Sequence, residues 1–321
     1  MRMWLIAFLL LSSLAWAQQD QPASAPETPS APTSENPAAE SKSADSSLPD
    51  LTPDANGALT QEQMQRLFHV VADKDEANQK NVRNYTYIER QVENKLDGKG
   101  QVKSTETKTF EILDIYGEQV ARLIAKDDKP LDAKEAAKEE EKIQKIIDKR
   151  KNESDSDRRK RLEKEEKDRE EGRKFVHEIA DAYNFKLVGT ETVGGREAWV
   201  IDGEPRPGFD PKMKESKILS KFRGRVWIDK NDLQMAKLQM ECLDTISWGL
   251  FLARFHKGSH FTLEQTRVND EVWLPAHLTA KVDARLALLK GFNIDLDQTY
   301  RDYKKFRAST KIVGVAESRE Q

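Results

Sequence analysis

The residues that could do chemistry are few, and their spacing withholds most of what each reaction needs. His177-Glu178 opens like the HExxH helix of zinc proteases, in which two imidazoles four residues apart hold the metal and the glutamate acts as base. Position 181 is Asp, so the second imidazole is missing. His256 and His260 could meet across a turn at Gly258, with His277 joining them, but Lys257 lies between the first two and no adjacent carboxylate completes a set. Ser259 beside His260 lacks the strained G-x-S-x-G elbow that would raise a nucleophile. Asp295 and Asp297 alternate with Ile294 and Leu296, so they share one face of a strand and read as solvated charge. Cys242 is the only cysteine. It excludes an intramolecular disulfide, a thiolate zinc cluster and a lipid-attachment cysteine after a signal, and it reads as a small buried apolar residue. There is no P-loop or dinucleotide fingerprint, and Gly98, Gly100 and Gly194-Gly195 fall where turns need them. The expectation is a protein with no catalytic residues, no metal and no cofactor.

What the chain does have is apolar and aromatic: Trp199, Trp227, Trp248-Gly249-Leu250-Phe251-Leu252, Phe255, Phe261 and Trp273, with Met235 and Met240 among them. Such residues either form a core or line a cavity for a hydrophobic ligand.

These residues must be positioned by a chain of 321 residues, 34% charged, whose 53 Lys+Arg and 56 Asp+Glu nearly cancel to −3. That balance excludes the cationic surplus of a nucleic-acid binder. Arg2, the apolar run Trp4 to Leu11 and Ala15-Trp16-Ala17 read as a secretory signal cleaved after Ala17. Residues 18–57 hold seven of the twelve prolines among Ala, Ser, Thr and Glu, and read as a disordered linker. Thr60 and Gln63 have capping-box spacing, and Met64, Leu67, Phe68 and Val71 then repeat at helical intervals.

From Tyr85 the period changes to two. Strands are expected over 85–96, 101–115 and 119–125, then near 185–192, 196–202, 221–229, 233–243, 249–256, 259–268, 271–286, 292–303 and 306–315. Short connections such as Gly194-Gly195 and Asn269-Asp270 imply antiparallel neighbours. The meander is interrupted at 128–174, where Leu131 to Lys174 carries 16 basic and 15 acidic residues in helix-forming sequence. This block predicts two helices with a break near Asn152 to Asp157, an inserted and solvated arm that could also hold a protein partner. The fold class is α+β, mainly antiparallel β: one curved half-barrel sheet of about eleven strands covered by helices. One domain spans 58–315, followed by a tail at 316–321.

The order of Gly195-Arg196-Glu197-Ala198-Trp199-Val200-Ile201, Gly224-Arg225-Val226-Trp227-Ile228-Asp229 and Val272-Trp273-Leu274-Pro275 resembles the LolA/LolB-like superfamily of periplasmic lipoprotein carriers. The resemblance implies a periplasmic, non-enzymatic carrier that holds a lipid or lipoprotein acyl chain in an apolar concavity, with peripheral membrane contact at most. Trp199, Trp227, Leu238, Met240, Trp248, Phe251, Leu263, Leu274, Leu278 and Val282 are the expected lining. The alternative is an envelope interaction or stress-sensor module that binds a protein through 131–174.

Overall fold

A computed structural model of the chain describes residues 59–248, 253–286 and 292–306. The signal with Ala17, the linker 18–57, the strand expected beyond Phe306 and the tail 316–321 lie outside the described residues.

The first helix, α1 (Gln61–Val82), starts where its cap dictates. Thr60 accepts from the Gln63 N–H, and the Gln63 side chain accepts from the Thr60 N–H, so both halves of the capping box are made. Its apolar stripe buries Met64 and Leu67. Phe68 stacks on Phe185 with ring centroids 3.8 Å apart.

The described residues form thirteen antiparallel strands: β1 (Tyr85–Leu96), β2 (Val102–Ile115), β3 (Glu118–Lys126), β4 (Lys129–Pro130), β5 (Tyr183–Val193), β6 (Arg196–Pro205), β7 (Phe222–Asp229), β8 (Met235–Cys242), β9 (Ile246–Trp248), β10 (Ala253–Phe255), β11 (His260–Val268), β12 (Val272–Leu286) and β13 (Phe292–Lys305). Eleven of them form one path, β4-β3-β2-β1-β13-β12-β11-β8-β7-β6-β5. Its two ends, β4 and β5, do not pair with each other, so the sheet is open. The protein is therefore α+β and mainly antiparallel. In place of the single strand expected over 249–256, the short β9 and β10 pair with each other, and β10 continues onto the end of β12.

Turn chemistry fixes several registers. Gly194 and Gly195 both adopt positive φ, 57° and 81°, the pair of left-handed residues that a two-residue hairpin of matching twist requires. Pro275 has no N–H to give a ladder, and it sits at the bulge where β12 slips against Glu264 and Gln265.

Residues that pair in register point to one face. Phe185 pairs with Gly203, Gly203 with Gly224 and Gly224 with Met240. Since Phe68 lies on Phe185, this is the face that α1 covers, the inner face. At the β5 end Gln61 bridges the sheet edge, its side-chain amide bonding both the N–H and the carbonyl of Phe185.

The charged block forms α2 (Ala133–Lys151) and α3 (Asp155–Ala182), divided by the Asn152 C-cap and the Ser154 N-cap, where the break was expected. Its first helix does not stand off in solvent. Ile143 is 1% exposed and packs with Ile115 and Val120, flanked by Leu113, Ile146 and Ile147. Leu113 and Val120 are register partners on the outer face, so α2 and α1 lie on opposite sides of the sheet. Arg150 to Glu118 and Glu140 to Arg122 fasten α2 further. The start of α3 is solvent-exposed, and the helix then runs beside α1, where His177 meets His69 and Arg173 meets Glu76, with Phe175 and Ala180 buried.

Candidate ligand-binding face

The inner face is built from cross-strand rows. Val226, Leu238, Leu263 and Leu278 form one row across β7, β8, β11 and β12. Beside it, Gly224, Met240, Phe261, Ala280 and Leu296 form a second. Val282 lies two residues further along β12 on the same face. Trp199 shares it too, two residues before Ile201, the partner of Val226. Of the expected lining, then, Trp199, Leu238, Met240, Leu263, Leu278 and Val282 are brought to one face. The rows are tight between strands: a Cβ on Gly224 would stand 2.5 Å from the Met240 sulfur, and one on Gly203 would stand 3.3 Å from the Phe185 ring.

Trp227 does not join them. It pairs with Val200 and Lys237 on the outer face, packs with Ala198 and Val200, donates its indole N–H to Glu191 at 2.8 Å, and carries the Lys237 ammonium 5.2 Å from its ring centre. The strict alternation of β7 sends it opposite Val226. Leu274 also stands apart, buried with Tyr85 and Val272 where α1 passes into β1. Trp248 ends β9, and Phe251 lies outside the described residues.

Cys242, Ser259, His260, His277 and His177 are held in structural bonds or ring contacts. The Cys242 thiol is buried between Phe222 and Ile246 and donates to the Asp244 carbonyl; burial raises its pKa. Ser259 is buried, and its hydroxyl oxygen accepts from the Asp283 N–H at 3.2 Å. His260 turns to the Gly258 carbonyl at 3.2 Å. His277 does have a carboxylate partner, contrary to the sequence reading: its Nε2 lies 2.9 Å from Asp297 on the neighbouring strand. His177 stacks on His69 at 5.9 Å and faces Asp73, while His69 faces Asp181, which makes an interhelical zipper. Among the described residues no three His, Cys, Asp or Glu side chains are grouped to hold a metal ion.

Two constellations escaped the sequence reading. The first continues the rows past β12. Leu278 pairs with Gln298, and Gln298 with Gln91, so the apolar row ends in two buried amides. Gln298 Nε2 donates to Glu89 Oε1 at 3.0 Å and to Gln91 Oε1 at 3.4 Å, and its Oε1 accepts from the Tyr300 hydroxyl at 3.3 Å. Burial pushes the Glu89 carboxyl up to about 7. The same desolvation raises the Tyr87, Tyr300 and Tyr303 phenols. The only sequence signal was polar spacing at Tyr87, Glu89 and Gln91, which share one face of β1.

The second constellation joins the three sequence motifs at one end of the sheet. Arg196 grips Asp229 with two bonds, 2.6 and 2.9 Å, and reaches Asp232 at 3.2 Å. Asp232 also takes the Trp273 indole N–H at 2.9 Å and Arg267 at 3.1 Å, and Arg196 lies 5.6 Å from the Trp273 ring centre. Burial works to raise the Asp229 pKa, but Arg196 and the N–H groups of Asp232 and Asn231 outweigh it and hold the carboxyl below its ordinary value. These motif residues are a clasp on β6, β7 and β12 rather than a lining.

No protein-family model and no curated protein matches the chain. Among solved structures, it is similar to an outer membrane lipoprotein-sorting protein domain from Vibrio parahaemolyticus, at 11% identity and TM-score 0.34 over 79% of this chain and 96% of that one. A LolA superfamily protein from Nitrosomonas europaea matches at 7% identity and TM-score 0.27, over 76% and 94%. The Pseudomonas aeruginosa MucA/MucB complex contains a chain that matches at 10% identity and TM-score 0.22, over 76% and 99%.

Proposed function

We propose that this protein is an exported, periplasmic carrier that binds the acyl chain of a lipid or lipoprotein on its inner face, without a catalytic step. The observation that supports this reading is the apolar row Val226, Leu238, Leu263 and Leu278, which runs across four strands of an open sheet. Each methylene withdrawn from water onto such a row contributes about 0.8 kcal/mol, so a chain of about ten supplies roughly 8 kcal/mol before association costs. No charged or nucleophilic group is needed for that. No described helix is long and apolar enough to cross a membrane, and the reading calls for membrane contact that is peripheral and transient. Native mass spectrometry of the purified protein, with solvent extraction, tests it: acyl-chain adducts are expected. A protein that extracts clean and takes up no acyl ligand after delipidation overturns it.

A second reading, a protein partner bound through the charged block, is favoured by one observation: Leu162 stands 43% exposed among the charges of α3. Removing 131–174 whole would also strip the Ile143 packing and sever α3, so Leu162→Asp is the sharper probe. Under the carrier reading this substitution leaves acyl binding unchanged.

A further inference from the structure

The carrier reading accounts for the apolar part of the row but not for where the row ends, and the inference made here rests on that reading. Gln91 and Gln298 are 3% and 2% exposed, and Glu89 is 7% exposed. Burying two amides and a carboxyl costs free energy that aliphatic side chains at the same positions would avoid. Gln298 spends its amide on Glu89, Gln91 and Tyr300, whereas Glu89 Oε2 accepts from no group among the described residues. Among the described residues no guanidinium or ammonium engages Glu89. In register, the cation nearest to Gln91 is Lys108, and Glu106 holds it at 2.9 Å. Glu93 and Lys95 share the face further along β1 and pair with each other at 3.7 Å.

The end of the row thus offers hydrogen-bonding groups beside a carboxyl that has no counter-cation among the described residues. A phosphate or carboxylate placed there would meet a buried acid with nothing to neutralise either charge. An uncharged group that both donates and accepts would be matched. We propose that Glu89, Gln91, Gln298 and Tyr300 receive the uncharged, hydroxyl-, ester- or amide-bearing head of an amphiphile whose chain lies along Val226, Leu238, Leu263 and Leu278. The path from apolar row to polar end is continuous, since Leu278 and Gln298 are register partners.

The experiment compares two probes with the same chain, 1-monolauroylglycerol and dodecyl phosphate, each titrated calorimetrically into the purified protein at pH 8 below its micelle concentration. The glycerol ester is expected to bind at least tenfold more tightly. Glu89→Gln, which keeps the shape and removes the charge, should narrow that ratio at least threefold by strengthening the phosphate. Tyr300→Phe, which removes a single hydroxyl, should weaken the glycerol ester about two- to tenfold and leave the phosphate unmoved; it serves alone if Glu89→Gln does not fold. Equal affinities for the two probes, or a ratio that these variants do not move, overturns the head-group site and leaves acyl binding standing. If neither probe binds, the carrier reading falls and takes the site with it.

Discussion

Removing the Asp229 carboxylate should be among the most damaging single changes that leave the apolar core untouched. Its side chain is 0% exposed and accepts four hydrogen bonds: two from Arg196, and one each from the Asn231 and Asp232 N–H groups at 3.0 and 2.8 Å. Breaking a buried pair from one side costs about 3–5 kcal/mol, because the partner charge stays behind. Arg196 is 26% exposed and keeps Asp232 at 3.2 Å, which puts Asp229→Ala at the low end, about 3 kcal/mol. For a domain of this size that is a fall in Tm of about 6–12 °C. The internal control is Arg223 with Glu241, a pair of similar geometry but 48% and 44% exposed, so Glu241→Ala should cost about 0–1 kcal/mol. Urea unfolding of the wild type, both single variants and the Arg196→Ala/Asp229→Ala double variant measures these costs and the coupling. The pH dependence adds a sign. A carboxyl whose folded pKa lies below its unfolded value stabilises fully above the unfolded value of about 3.8, and that stabilisation is lost as the pH falls through the folded pKa. Asp229→Ala should therefore flatten the acid limb of the stability curve. An Asp229→Ala cost equal to that of Glu241→Ala, or a coupling near zero, would refute the clasp.

Two further outcomes follow from the inner face. Glu89 has the opposite sign to Asp229: its folded pKa of about 7 exceeds the ordinary 4.5, so the folded state holds a proton that the unfolded chain has released. Stability should fall by about 3 kcal/mol as the pH rises from 4.5 to 7, and Glu89→Gln should remove that slope in urea midpoints taken across the range. The charged groups on the same face, Glu93, Lys95, Glu106 and Lys108, pair among themselves and remain in the variant as a common background. At Gly224 an added Cβ meets the Met240 sulfur at 2.5 Å and the Gln239 carbonyl at 3.1 Å. Gly224→Ala should cost about 1–3 kcal/mol in thermal or urea unfolding, and Met240→Ala should rescue it only in part, because the carbonyl belongs to the backbone and cannot swing away.

What the sequence discloses and what it hides divide along a physical line. The α1 cap, the break between α2 and α3 and the hairpins at Gly194-Gly195 and Asn269-Asp270 depend on residues close in the chain, and local spacing is enough to find them. The neighbours of a strand depend on register between distant segments. His277 meets Asp297, and Arg196 meets Asp229 and Asp232, only once the strands are aligned. Aromatic type told nothing about direction, and Trp227 faces outward because its strand alternates.

β1 is the sharpest case. Its apolar residues Ile88 and Val92 fall on the opposite parity from Glu89 and Gln91, so by hydrophobicity alone the strand should turn Ile88 and Val92 to the inner face. A one-residue slip would do so. The observed register instead aligns Gln91 with Gln298 and Glu89 with Tyr300, and turns the carboxyl inward. Local preference has been overridden where the apolar row meets a buried acid. Positions where pattern and structure disagree concentrate at functional sites, and that is the physical reason to seek a ligand's polar end at Glu89 rather than at the tryptophans.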